Sequence, residues 1–424
     1  MSAQVKPGYK LTEAGAIPSD WNAGTLKNYC TRLNVGFVGT CEPFYTNETK
    51  GVMLIRTGNL KNESFSFEDM KFVTKSFHDL NKKSQVRIGD ILIARHGDSG
   101  SAVLVPESID HANTLNIVII RPDNAVLDNK FSAYAINSHG VKKQVIESSA
   151  GSTQSVINTK EIAKLIIPIP PLPEQRAIAN ALASIDALIS GLDQLIIKKQ
   201  DIKQATMQQL LTGQLRLPGF SGEWKVKRLG DIATLNRIHI IPSDFPSHIF
   251  SHFSLPAFDE TKHPVIESGS AIGSNKFRVP EGSVLVSKLN PRIPRVWMPL
   301  VISESAIAST EFLVLTAKEG VSREYLFVAC SSPFFCDQMI LSATGTTGSH
   351  QRISPAIALD LKIATPTDVI EQSAIATVLS DMDNELTTLK SRRLKAQDLK
   401  QSMVQALLTG RIRLSQSSQE AKLC

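Results

Sequence analysis

From Glu174 onward, apolar residues fall at Ile178, Leu182, Ile185, Ile189, Leu192 and Ile196, in steps of four, three, four, three and four. That spacing is the signature of a helix burying one seam against another helix. The same seam returns at Ile375, Leu379, Met382, Leu386 and Leu389, with Arg393 standing where Ile196 would fall. The recurrence belongs to a longer match: residues 174–217 lie on 371–414 at a constant offset of 197, with 20 of the 44 positions identical. Prolines precede the first helix in "PIPPLPEQ", where the missing amide donor costs nothing. Each helix closes on Leu-Leu-Thr-Gly, so Gly213 and Gly410 are expected as left-handed C-terminal caps, followed by a short strand or extended exit. A helix of close to 40 residues is about 60 Å long at about 1.5 Å per residue. Two such helices with matching seams predict an intramolecular antiparallel coiled coil about a pseudo-two-fold axis. The alternative is that each packs on its own globular unit.

The remaining pattern is shorter in period. "GDILIARHG" (89–97), "LNIVIIRPD" (115–123) and "LIIPIP" (165–170) read as strands, and residues 129–150 have helical spacing. The second half repeats the order with strands in 282–290 and 311–318 and helical spacing over 322–345. Looser anchors continue the duplication: Trp21 and Leu26 answer to Trp224 and Leu229, Leu165 to Leu361, Pro170 to Pro366, and Gly151-Ser152-Thr153 to Gly345-Thr346-Thr347. The fold class expected is α+β, with two mixed α/β units separated by two long helices. Boundaries fall at 1–172, 173–213, 214–369 and 370–412, with 413–424 as a flexible tail. Helices that stay alike beside globular parts that differ suggest one constant task and two separate recognition tasks. Faster drift of exposed surfaces would give the same contrast.

Composition narrows the function classes. Net charge is +6, from 46 basic and 40 acidic side chains, and the halves share it, with 24 against 20 up to residue 217 and 22 against 20 after it. A bias this mild is compatible with a polyanionic partner if the positive charge is focused on one face. No uninterrupted apolar run approaches the roughly 18 residues of a membrane span, and the N-terminus lacks the apolar core of a secretory signal. The cysteines Cys30, Cys41, Cys330, Cys336 and Cys424 form no metal-ligand spacing and read as reduced thiols in a cytoplasm. There is no phosphate-binding Gly-x-x-x-x-Gly-Lys-Ser/Thr loop, no Gly-x-Gly-x-x-Gly fingerprint and no Gly-x-Ser-x-Gly elbow. Asn290-Pro291-Arg292-Ile293 lacks the second proline and the aromatic of an amino-methyltransferase tetrapeptide. The expectation is a chain without its own catalysis, cofactor or metal.

Taken together, "IPIPPLPEQRAIANALASID", "EQSAIATVLSDMD", the paired Leu-Leu-Thr-Gly ends and the Gly-Asp-Ile-Leu-Ile and Gly-Ser-Thr-Gln stretches resemble the DNA-specificity subunits of type I restriction-modification systems. The resemblance covers nearly the whole chain in the order recognition domain, helix, recognition domain, helix. It implies that each globular unit is a target-recognition domain reading one half of a split, asymmetric site in double-stranded DNA. It implies too that the helices set the spacing and dock two methyltransferase subunits, joined by motor-endonuclease subunits in a prokaryotic cytoplasm. S-adenosylmethionine, ATP and Mg would then belong to the partners. The second unit departs from the first, with "GSVLVSKLN" for "GDILIARHG" and "GTTGSHQRI" for "GSTQSVI". A subunit of another multi-subunit modification system and a scaffold that binds only proteins are the alternatives.

Base edges are matched by Arg or Lys on guanine and Asn or Gln on adenine, while hydroxyls, amides and other cations hold phosphates. Polar loops after strands supply the candidates. In the first unit they are Arg56, Thr57 and Asn59, then Arg95 and His96, then Ser152, Thr153 and Gln154. In the second they are Lys276, then Lys288, Asn290, Arg292 and Arg295, then Thr346, Thr347, His350, Gln351 and Arg352. Ordinary polar turns and solvated surface charge are the competing readings for all of them.

Overall fold

The expected strands are apolar on both faces because each is buried on both faces. In Ile91–Ala94 and Ile117–Pro122 the residues Ile91, Ile93, Val118 and Ile120 enter one core, while Leu92, Ala94, Ile117 and Ile119 enter another. Successive side chains of a strand point to opposite sides, so a sheet between two layers needs no polar position. The second unit repeats this: Val284, Val286, Leu313 and Leu315 face one core, and Leu285, Phe312 and Val314 the other. The structure, a computed structural model, describes residues 6–95, 101–149, 158–345 and 350–414.

Each unit holds a four-stranded and a five-stranded sheet. In the first, Ile117–Pro122 runs antiparallel between Ile91–Ala94 and Cys30–Val35, and Ala112–Leu115 runs parallel to Gly51–Arg56 in the second sheet. The counterparts are Phe312–Ala317 between Ser283–Ser287 and Ala233–Asn236, and Ala306–Ser309 parallel to Ile249–Phe253. The helical spacing over 129–150 and 322–345 resolves into two helices each time. Asn129–Asn137 is capped by Asp128, and Arg323–Cys330 and Pro333–Leu341 by Ser322 and Ser332, whose side chains accept the amides of Phe131, Tyr325 and Phe335. Extended backbone at Ser138 ends the first of them and His139–Ser149 follows.

The long helices are Leu172–Leu211 and Val369–Leu407. Their expected seam is shared between two tasks. Ile178 and Leu182 enter a globular core that also takes Leu407 and Leu408 from the end of the second helix. Ile375 and Leu379 do the same with Met207, Leu210 and Leu211, and Met382 packs against them. Leu192, Ile196, Leu386 and Leu389 meet as helix against helix, Ile185 is buried and Ile189 half-buried. Ion pairs set the antiparallel register: Lys199 with Glu385 at 2.7 Å, Lys203 with Asp383 at 2.5 Å, and Lys400 with Asp186 at 2.7 Å. The last two are the same pair written twice, 197 residues apart. An 18-residue window of the first long helix has a mean hydropathy of 1.3, so by length and composition alone that helix could cross a membrane, although its apolar residues are interrupted.

Chain order does not define the compact units. One is Met1–Gly191 with Arg392–Cys424, the other Leu192–Ser391, so each long helix begins in one unit and ends in the other. Each unit is closed by a tryptophan, a buried glutamate and an arginine. In the first, Trp21 Nε1 donates to Glu174 at 3.0 Å, and Arg413 donates through Nε and Nη2 to the same carboxylate at 2.7 and 2.8 Å. Asp20 accepts from the other side of that guanidinium at 2.9 and 2.7 Å. In the second, Arg216 grips Glu371 at 2.6 and 2.8 Å and Trp224 Nε1 reaches it at 3.3 Å. Each arginine also lies over its indole, 5.6 Å from the Trp21 ring and 5.8 Å from the Trp224 ring.

This corrects the expected tail. Arg413 is the anchor of the first unit and Leu414 packs on its core; residues 415–424 lie outside the described residues. Gly213 and Gly410 are left-handed as expected, at φ +73° and +68°. Both sites also lack room: a Cβ at Gly410 would fall 2.4 Å from Pro18, and one at Gly213 would fall 3.1 Å from the Trp224 ring. Arg413→Ala strands the buried Glu174, and about 1–3 kcal/mol of stability is expected to be lost. The exposed Arg411→Ala should stay within about 0.5 kcal/mol. Urea unfolding of the two variants distinguishes the anchor from a neighbouring surface charge.

Candidate nucleic-acid interface

In the first unit the two sheets meet at a corner. Ala112–Leu115 ends in the five-stranded sheet, Asn116 turns with φ +57°, and Ile117 begins the four-stranded one. Arg56 pairs with Leu115 across the first sheet, and Ala94 pairs with Ile117 across the second, so Arg56 and the half-buried Arg95 flank one turn. Phe37 completes the corner, with its amide on Thr114 O at 2.9 Å and its carbonyl accepting from Asn116 at 2.8 Å. Arg56 is oriented from behind: its Nη2 donates to the carbonyl and carboxylate of Asp69 at 2.5 and 2.9 Å. Lys71 and Arg56 hold the Asp69 carboxyl down at about 2, so this pair is charged throughout the neutral range. Thr57 stands half-buried at the start of the following turn.

The second unit builds the corresponding corner differently. Ser287 pairs with Phe312 as Ala94 pairs with Ile117, which places Lys288 where the first unit has Arg95. Its loop is stitched to the segment before the short helix Pro355–Asp360: Asn290 N donates to Gln351 O at 2.8 Å, Ile353 N to Lys288 O at 3.0 Å, and Thr344 and Arg352 exchange backbone bonds at 2.9 Å. Lys288, Asn290, Arg292, His350, Gln351 and Arg352 therefore lie in adjoining loops. Asn290 is left-handed at φ +48°, and its Oδ1 is enclosed with no partner among the described residues. Arg292 is exposed, and Arg352 pairs with Glu311 at 3.2 Å.

Three candidates have their side chains engaged inside the fold. Asn59 is 1% exposed; its Oδ1 accepts from Arg56 N, and its Nδ2 donates to the carbonyls of Ser66 and Glu68 at 3.1 and 3.0 Å. Lys276 is buried, with Nζ folded onto the carbonyl and hydroxyl of Ser274 and its pKa lowered by that burial. Arg295 spends Nε and Nη2 on the Asp259 carboxylate at 2.7 and 2.8 Å, and holds that carboxyl below its usual range. Donors that are paired inside the fold are not available to a base edge. His96, Ser152, Thr153, Gln154, Thr346 and Thr347 lie outside the described residues. The acidic partners Asp69, Asp259 and Glu311 had no signal in the sequence, because nothing in spacing links them to the arginines they hold.

Each of the two mixed units thus offers a basic residue at one equivalent strand end. The chain matches the type I restriction modification DNA specificity domain twice, over residues 18–200 and 221–397. It belongs to that family. Both matches run from a specificity domain into its long helix, as the internal repeat does. The chain is 29% identical over 213 residues to the type I restriction enzyme EcoKI specificity subunit of Escherichia coli K12, covering 48% of this chain and 45% of the relative. It is 28% identical over 218 residues to the MjaVIII specificity subunit of Methanocaldococcus jannaschii, covering 49% of each. In these alignments the chain spans about half the length of the curated relatives it matches. The fold is similar to that of the type I restriction-modification S subunit from M. genitalium, with a TM-score of 0.58 at 16% identity over 95% of this chain and 98% of that one.

Stability distinguishes the candidates engaged inside the fold from the exposed ones. Asn59→Ala removes the buried partner of two carbonyls and an amide in a half-buried turn and should cost about 1 kcal/mol. Arg292→Ala should stay within about 0.5 kcal/mol. Denaturant midpoints of the two variants give the comparison.

Proposed function

We propose that this chain is the DNA-specificity subunit of a type I restriction-modification complex, with each unit reading one half of a bipartite, asymmetric site in duplex DNA. The observation that carries the reading is the matched placement of Arg95 and Lys288 at equivalent strand ends of units that otherwise differ. Arg and Lys at such a position suit the guanine edge or a phosphate. Arg56, with its guanidinium held from behind by Asp69, would be a pre-oriented donor beside Arg95. The long helices set the spacing between half-sites and dock two methyltransferase subunits, to which motor-endonuclease subunits are added for restriction.

On this reading the chain performs no catalysis of its own. S-adenosylmethionine, ATP and Mg act on the partner subunits, and the complex works in a prokaryotic cytoplasm. Recognition and chemistry are divided, so changes in the two corners alter which DNA is modified without altering how.

Exchange of residues 218–366 for the same segment of another specificity subunit should change one half of the methylated motif and leave the other. Sequencing methylated sites across a genome that expresses the chain with its methyltransferase partner reads this directly. If both halves stay as they were, the two-reader proposal fails. In the same assay Arg95→Ala and Lys288→Ala are expected to weaken methylation at the native motif.

A further inference from the structure

The buried polar residues of the first unit include a network that the candidate corner does not use. Asn113, fully buried in the strand Ala112–Leu115, donates Nδ2 to Ser84 Oγ at 2.7 Å and offers Oδ1 to His78 Nδ1 at 2.7 Å. Ser84, also fully buried, donates Oγ to Asn81 O at 2.8 Å, and its carbonyl accepts Thr114 Oγ1 at 3.3 Å. Asn81 Nδ2 donates to Phe77 O at 2.8 Å, and Gln85 Nε2 to His78 O at 2.7 Å. From the other sheet Arg32 Nη1 reaches Gln85 O at 2.8 Å, and Arg32 Nη2 and Asn34 Nδ2 both reach Lys83 O at 2.5 and 2.8 Å.

Bonds from Asn113, Thr114, Arg32 and Asn34 reach the turn Lys82–Ser84 itself and the others brace the residues around it, and what that turn presents to solvent is two adjacent lysines. Neither ammonium has a partner among the described residues. A satisfied buried polar network rigidifies the segment it holds, so here the backbone beneath both charges is fixed. The register places the turn at the corner already described: Gln85 pairs with Asn113, which carries the residues before it toward the end of the strand where Leu115 faces Arg56. Among the described residues the second unit has no counterpart at this place. The segment before its corresponding strand is Gly273-Ser274-Asn275, and the nearest cation, Lys276, is buried and folded back on Ser274.

We infer that Lys82 and Lys83 are phosphate contacts of the first unit, holding the DNA backbone beside the groove that Arg56 and Arg95 face. The inference rests on the DNA-reading proposal and adds residues and a role to it. A lysine ammonium is a point charge that binds a phosphate without reading sequence, so the pair sets affinity and register but not base choice. The contribution is confined to the first unit.

The test uses the full chain in complex with its methyltransferase partner. Binding is measured against salt for a duplex carrying the methylated motif, for the same duplex with one half-site altered, and for a random duplex. The Lys82→Gln/Lys83→Gln variant is expected to show a slope of log affinity against log salt shallower by roughly 2, at about 0.9 per phosphate contact. All three duplexes should weaken alike, with the ratio of motif to altered motif unchanged. Arg95→Ala run alongside should instead change that ratio at the first half-site. A double variant with the wild-type slope, or one that loses discrimination at a half-site, overturns the assignment. A wild-type complex whose affinity ignores salt overturns the DNA-reading proposal, and this inference with it.

Discussion

The structure depends on one carboxylate in each unit being taken out of water. Glu174 and Glu371 stand in the first turns of the long helices and are buried, which is unfavourable for a charge unless it is paired and hydrogen-bonded. The indole of Trp21 or Trp224 and the guanidinium of Arg413 or Arg216 supply those bonds. The consequence is topological as much as energetic. Residues near position 20, position 174 and position 413 must come together to close the first unit, so its core is complete only when the end of the second helix has returned to it. The adjacent Gln175 and Gln372 reinforce the same junction, each satisfying the backbone of the loop that leads into a helix of its unit.

With the helices held there, each four-stranded sheet is pinned between a helical layer and a second sheet. One of the places where the chain passes from one sheet to the other brings strand ends from both together. In the first unit this collects Arg56, Arg95 and the Lys82–Ser84 turn. In the second it collects Lys288 and the loops around Asn290 and Gln351. A shared scaffold therefore delivers different side chains to an equivalent position.

Much of this was legible from periodicity. The offset of 197, the seam, the glycine caps and the apolar runs each report a local or repeating constraint, and each has a visible period or a fixed place in the motif. The engagement of Asn59, Lys276 and Arg295 inside the fold has no signal in the sequence, because polar residues in loops look alike whether they serve a ligand or the loop itself. What separates them is burial and the partner across the turn, and sequence separation hides both. The same blindness applied to Lys82 and Lys83, which stand in no repeated motif and gain their meaning from Asn113, Arg32 and Asn34.

The closing octapeptides show the division most clearly. By itself the sequence determined that "LLTGQLRL" and "LLTGRIRL" end two like helices, because glycine at a left-handed cap follows from backbone sterics alone. The task of the arginine three residues on was decided by the tertiary structure. Its worth comes from a buried carboxylate about 150 to about 240 residues away in the chain, and a charge in low dielectric is strong or ruinous according to what stands beside it.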